Sequence, residues 1–494
     1  MLNLLFAPLV ILYFGVVAAL FIYGLNFFYL TALAGRRREA AAPAHGGEWP
    51  RVTVQLPIYN ELYVAERLIL AVGRLDYPAD RLEIQVLDDS TDETAGLVRR
   101  AVEGLRARGL NAVQLRRAER AGFKAGALAA GLELAGGEFI ALFDADFVPA
   151  PDFLRRALPH FTDKRVAFVQ ARWGHLNRDY SLLTRLQAFA IDAHFMVEQF
   201  ARARGGYFFN FNGTAGVWRT AALLDAGGWT ADTLTEDMDL SYRAFLKGWQ
   251  ARYVRELEVA AEVPVSLNAY RRQQHRWARG SMECALKFLP QLWRARLTFG
   301  QKLEATLHLT GYGVHLLMFL MAVLYPLMLA VFLERPELAA PFGMAAVLNV
   351  TAFAPLGFFV LAQQQLGRRW WRSLPLLVFM SVFGAGMMLN TMRAALAIFA
   401  GRRAVFERTP KFALAHARDA WAGRRYQLRL DPLVFAELAF GMLNLATALF
   451  AVAIGSWVTS IYAFIFAGGL LFTSLLTLAE SLAGLRRRPA AEAA

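Results

Sequence analysis

Hydrophobic positions along this chain follow two different rhythms. Residues 1–34 are almost free of charge, and "LLFAPLVILYFGVVAALFIYGLNFFYLTALAG" is a run of roughly 30 apolar residues, enough to cross a bilayer with tilt. Further long apolar windows cover 305–333, 340–364, 373–400, 432–454 and 457–483. Between about 36 and 300 the pattern shortens. "RVTVQLPIYN", "LEIQVLDDS", "NAVQLRR", "EFIALFDAD" and "RVAFVQAR" read as strands. Stretches with helical spacing separate most of them, for example "ELYVAERLILAVGRL" and "TDETAGLVRRAVEGLRARG". Strand–helix alternation predicts a Rossmann-like open α/β sheet with right-handed crossovers, inserted between membrane helices. In such sheets ligands bind beyond the carboxyl ends of the strands, so polar residues at those ends are the ones to weigh.

Charge sharpens the topology. The net charge of +13 is concentrated beside apolar segments: "GRRR" at 35–38, "GRRWWR" at 367–372, "GRR" at 401–403 and 423–425, and "RRR" at 486–488. This is the positive-inside pattern of a multi-pass plasma (inner) membrane protein. It places the N-terminus outside and the globular region in the cytoplasm. No basic–aromatic pattern for nucleic acid is present, so no nucleic-acid partner is expected. A basic leader is missing before the first apolar run, so a cleaved signal peptide is not expected. Arginines bound 373–400 on both sides, and a single crossing would put one cluster on the wrong face. That segment reads as re-entrant or interfacial, leaving five spans; six spans with one violated cluster is the alternative. The expected division is a membrane helix at 1–34, a cytoplasmic domain at 35–303 and a membrane region at 304–484. The last holds the 373–400 segment and a cytoplasmic loop at 401–430, and a disordered tail follows at 485–494. The single cysteine, Cys284, excludes an internal disulfide.

Candidate chemistry sits at strand ends and helix starts. Asp88-Asp89 ends the second strand run, and Asp144-Ala145-Asp146 ends the fourth. Two carboxylates at one strand end suit a hard cation, Mg²⁺ or Mn²⁺, that bridges phosphate oxygens; turn and capping roles are the ordinary alternative. Lys124 precedes a helix of small residues, where an ammonium and a helix N-terminus together favour phosphate. Asn212, Gly213 and Thr214 form a tight loop that lets a ligand approach the backbone. In "TLTEDMDLSYRAFLKGWQ", Thr235 is the expected N-cap with Glu236 and Asp237 in the first helical turn. Either carboxylate can satisfy free backbone N–H groups there, or act as a general base. "YRRQQHRWARG" gathers Gln273, Arg276 and Trp277 close to a membrane segment. Alone, it reads as an interfacial helix with a belt tryptophan.

In this order the motifs Asp88-Asp89, Lys124-Ala125-Gly126, Asp144-x-Asp146, Thr235-Glu236-Asp237 and Gln273-x-x-Arg276-Trp277 resemble the membrane-embedded family 2 glycosyltransferases, the cellulose and hyaluronan synthases. "FNGTAGVWR", "EDMDLSYRAFLKGW" and "FERTPKF" look most like the cellulose-synthase-like A and C subgroup. The resemblance covers about 50–430. Two departures stand out: Ser90 where many members have glycine, and Phe123 where many have histidine. The resemblance implies a GT-A fold and an inverting transfer from UDP-glucose or GDP-mannose into a β-glucan or (gluco)mannan extruded across the membrane. It implies Asp88, Asp89, Lys124, Asp144, Gln273, Arg276, Thr409 and Lys411 around the nucleotide sugar, and Asp144 and Asp146 on Mg²⁺ or Mn²⁺. Asp237, with Glu236 beside it, would be the base; Trp277, Asn212, Gly213 and Thr214 would meet the acceptor. "FERTPKF" would be a gating loop, and regulation by a cyclic dinucleotide is not expected. A glycolipid synthase adding one sugar to diacylglycerol or ceramide shares the Gln-x-x-Arg-Trp motif and is the alternative. The implied partners are the nucleotide sugar, a glycan or lipid acceptor, the bilayer and an envelope partner for export.

Overall fold

The computed structural model describes residues 2–36, 46–338, 346–399, 406–414, 419–421, 424–426 and 428–486. Parts of the expected 401–430 loop, and the tail from 487, lie outside the described residues.

Seven strands make one sheet: β1 (Val52–Ile58), β2 (Leu82–Asp88), β3 (Asn111–Leu115), β4 (Phe139–Leu142), β5 (Val166–His175), β6 (Gly216–Arg219) and β7 (Gln250–Ala261). Their order is β3-β2-β1-β4-β6-β5-β7. β1 pairs in parallel with β2 and β4, β2 with β3, and β5 with β7; β6 runs antiparallel between β4 and β5. β1 is buried along nearly its whole length. That explains its near-continuous apolar run, since a central parallel strand is covered on both faces. Ile58 and Asp88 are register partners, so β1 and β2 end side by side. One face of the sheet packs Val52, Val54, Phe143, Phe153 and Val217 into a core of its own. The other face, with Leu87, Phe168 and Trp218, is continuous with Leu30 and Ala34 of the first membrane helix and with Phe358 and Ala362. The sheet domain therefore shares a core with the helices beside it, which fixes the sheet ends relative to them.

Four described helices are long and apolar enough to cross a membrane: Ala7–Arg36, Gly311–Glu334, Leu433–Ala453 and Trp457–Leu482. Two expected boundaries shift. The window expected to start at 305 begins later, because Phe299–Leu309 is a separate helix that ends before the turn Gly311–Gly313. The window 340–364 is not one helix. Ala346–Phe353 is 3₁₀ and Ala354–Gln365 starts anew with a proline in its first turn, which has no N–H to continue a preceding helix; residues 339–345 lie outside the described residues. The segment 373–400 falls mostly into two helices, Trp370–Gly386 and Met388–Leu396, bent by 43°. At this bend Gly386 lies against the Gly469 backbone, leaving no room for a Cβ.

Candidate active site

A cleft opens where β1, β2 and β4 end, bounded on one side by the helix Leu267–Arg294 and on another by the segment 406–411. Its open volume is 190 Å³, below the roughly 300–1,000 Å³ of ordinary ligand pockets. Phe406, Arg408, Thr409 and Lys411 take up part of its wall.

At the β2 end the two aspartates part. Asp89 faces the cleft and pairs with Arg117 at 2.5 Å. Asp88 is fully buried: its Oδ1 accepts the Ser90 N–H at 2.9 Å and its Oδ2 accepts from Gln114 at 2.7 Å. Asp88 thus shapes the turn, and the structure does not bring it to the cleft wall.

Across the cleft Lys124 is surrounded by acceptors. Its Nζ lies 2.7 Å from Asp144 Oδ1, 3.6 Å from Glu236 Oε1 and 2.9 Å from the Gly213 carbonyl. Burial alone would lower its pKa, but Asp144, Glu236 and Asp237 outweigh that and hold it above the ordinary lysine value. Asp237 sits in the first turn of the helix Glu236–Leu246, where its Oδ1 accepts the Met238 N–H at 2.8 Å. Burial, then the Glu236 charge, push it up to about 7, with Lys124 pulling the other way. The expected N-cap is not formed. Thr235 makes no capping bond; its hydroxyl turns to Cys284 Sγ at 3.5 Å and its side chain fills the space beside Gly280.

Gly213 shows why the loop before β6 needs glycine. Its φ is +77°, and a Cβ there would meet Asp237 Oδ2 at 2.9 Å. Thr214, expected at the acceptor, is fully buried instead; its hydroxyl accepts the Asp144 N–H at 2.9 Å, so it orients that aspartate from behind. Asn212 does line the cleft. It is held by Gln199, by Gln170 and, at 3.3 Å, by His194, which a π-helical turn over His194–Gln199 brings beneath it.

Asp144 and Asp146 both reach the cleft. Asp146 Oδ2 meets Lys411 Nζ at 2.6 Å, so each aspartate faces an ammonium. Among the described residues no group of three or more His, Cys, Asp or Glu converges to hold a metal. Two hard oxygen donors fit a divalent cation whose remaining ligands are phosphate oxygens and water. Sequence spacing did not reveal the carboxylates that anchor 406–413. Glu61 pairs with Arg408 at 2.7 Å, and burial raises it to about 7 against that arginine's pull. Glu262 pairs with Arg67 at 2.7 Å and accepts the Ala413 N–H at 3.1 Å. The Thr409 hydroxyl is buried with no hydrogen-bond partner among the described residues. Phe123, the departure from histidine, stacks on Phe406 at 6.0 Å; the aromatic pair closes the same mouth.

Gln273, Arg276 and Trp277 project from one helix into the cleft. Arg276 donates to the Glu407 carbonyl at 2.7 Å and lies 4.5 Å from the Phe406 ring. Trp277 is 6.5 Å from Trp173, at the end of β5, making an aromatic wall that only tertiary structure could reveal.

This sheet order with two aspartates after its fourth strand agrees with a match of residues 50–280 to the family model "Glycosyltransferase like family 2". Residues 50–280 are a family 2 glycosyltransferase domain. The chain is 50% identical over 239 residues to the probable glucomannan 4-beta-mannosyltransferase 7 of Oryza sativa subsp. japonica, covering 47% of this chain and 41% of that one. It is 44% identical over 269 residues to glucomannan 4-beta-mannosyltransferase 2 of Arabidopsis thaliana, covering 52% and 50%. The matches thus span about half the length of these curated relatives. The fold is GT-A. The mannosyltransferase PcManGT of Pyrobaculum calidifontis, solved with GDP-Man and Mn²⁺, superposes with TM-score 0.55 at 22% identity, covering 80% of this chain and 100% of that one. The glycosyltransferase domain thus holds all five motifs except the buried Asp88 at or beside one cleft.

Proposed function

We propose that this chain is an inverting β-mannosyltransferase that moves mannose from GDP-mannose onto a growing β-mannan or glucomannan. The observation that carries this reading is Asp237: a carboxylate raised to about 7, between the Lys124–Asp144 pair and the Gln273, Arg276, Trp277 wall. The names of the plant relatives favour mannose over glucose as the sugar.

The acceptor hydroxyl oxygen attacks the anomeric carbon, and the bond from that carbon to the diphosphate breaks with its electrons leaving on GDP. Asp237 takes the hydroxyl proton. One displacement inverts the anomeric centre, so an α-linked donor yields a β-linked product. Lys124 and Arg276 offset the charge that builds on the leaving diphosphate. Mg²⁺ or Mn²⁺ held by Asp144 and Asp146 would supply further positive charge at the same place. Lys411 and the orphaned Thr409 hydroxyl offer donors to the diphosphate from the other side. Trp277 and Trp173 present flat apolar faces suited to the C–H face of an acceptor sugar. The basic clusters support a cytoplasmic cleft, with the membrane helices beyond it as the export route.

The test uses the purified full chain in nanodiscs with Mn²⁺ or Mg²⁺, offered radiolabelled GDP-mannose and UDP-glucose separately. The expected product is a long, β-mannanase-sensitive polymer from GDP-mannose. A short, organic-extractable glycolipid would overturn the polymer reading, and transfer from UDP-glucose alone would overturn the donor.

A further inference from the structure

The cleft has an end that the chemistry above does not use. The diphosphate belongs over β4, beside Asp144 and Asp146. Sugar and acceptor belong towards Asp237, Trp173 and Trp277. The nucleoside is left the opposite end, over β1 and β2, where Tyr59, Asp89 and Arg120 line the wall.

Arg120 lays its guanidinium 3.5 Å from the centroid of the Tyr59 ring and 5.0 Å from that of Phe123. Its loop is fixed. Arg117 donates to the Ala121 carbonyl at 2.7 Å and to the Phe123 carbonyl at 3.0 Å while pairing with Asp89. Gly122 and Phe123, with φ of +69° and +52°, turn the chain there. Arg120 Nε is buried and has no hydrogen-bond partner among the described residues. A buried, unpaired N–H is costly, so an acceptor is due at that atom.

We propose that Arg120 selects the donor's nucleobase, reading O6 and N7 of guanine; this rests on the GDP-sugar reading above. The reason is donor geometry. A guanidinium offers two parallel N–H groups and no acceptor. Guanine has two adjacent acceptors, O6 and N7, on one edge, where adenine pairs its N7 with a donor. Uracil alternates acceptor, donor, acceptor, so no edge matches the fork. A diphosphate would also accept these donors, but Lys124, Arg276 and Lys411 already face that end.

The test measures dissociation constants of GDP, UDP and 7-deaza-GDP, which lacks N7, on the full chain in nanodiscs with Mn²⁺. Wild type should prefer GDP to UDP and lose roughly tenfold with 7-deaza-GDP. Arg120→Ala should weaken GDP by roughly tenfold or more, bind GDP and 7-deaza-GDP alike, and bind UDP within about twofold of wild type. Retained UDP binding is the control for folding. Arg120→Lys keeps the charge but not the fork and should lose the guanine preference too. Equal weakening of GDP and UDP in Arg120→Ala would put Arg120 on the diphosphate and overturn the proposal. So would an unchanged GDP preference in either variant, or a wild type that binds UDP more tightly. A wild type that binds neither overturns the donor reading itself, and this proposal with it.

Discussion

Charges are buried in two regions of this molecule, and they are partnered differently. Where the helix Leu267–Arg294 meets Leu433–Ala453, Arg271 and Glu437 form a two-pronged pair, with Nη2–Oε1 at 2.7 Å, and neither side chain is more than 2% exposed. Arg202 pairs with buried Glu304 at 2.8 Å and also reaches Glu198 at 3.4 Å. In the cleft three carboxylates, Asp144, Glu236 and Asp237, crowd around Lys124 and also feel Arg276, with no one-to-one pairing. In the Arg271–Glu437 pair each charge has a partner of its own. At the cleft, burial first and the Glu236 charge second push Asp237 up to about 7 against the pull of Lys124. The first arrangement holds the helices together; the second stores reactivity.

Substitutions should break this contrast cleanly. The largest effect is expected from Asp237→Asn, which removes the proposed base and should cut kcat by roughly 10²–10⁴-fold. The thermal midpoint should not fall, because a poorly matched buried charge has been removed. Glu437→Gln should do the reverse. It strands Arg271 and should cost about 3–5 kcal/mol of stability, seen as a lower unfolding midpoint, while transfer per folded molecule stays near wild type. Gly213→Ala falls between the two: the positive φ costs about 1–2 kcal/mol, and the new methyl pushes on Asp237 Oδ2, so activity and stability should drop together. The smallest effect is expected from Lys411→Ala. Freeing Asp146 from its ammonium should tighten Mn²⁺ binding measured by electron paramagnetic resonance without nucleotide.

Much of this was legible along the chain, and the reasons are local. β1, β2, β4 and β5 show as short apolar runs because these interior strands are buried along most of their length. β6 did not, since four residues of "GVWR" are too few to carry a period. β7 is an edge strand, and its exposed positions interrupt the pattern with Arg252, Arg255 and Glu258. Asp89, Lys124, Asp144, Asp146, Glu236, Asp237, Gln273, Arg276 and Trp277 all line the cleft. Asp88 and Thr214 do not: both are fully buried, Asp88 held by Ser90 and Gln114 and Thr214 accepting from the Asp144 N–H. Glu61, Glu262, Trp173 and Arg120 could not be picked out by spacing. Each gains its meaning from a partner far away in sequence, such as Arg408 for Glu61.

The most direct test of the account is the pH dependence of kcat/KM for transfer from GDP-mannose. A base must be deprotonated to act, and Asp237 is raised to about 7. The rate should therefore climb about tenfold per pH unit below that value and level off above it. In Asp237→Asn the residual rate should be low and lack that inflection. A wild-type profile flat from pH 5.5 to 8, or the same inflection kept in Asp237→Asn, would contradict it.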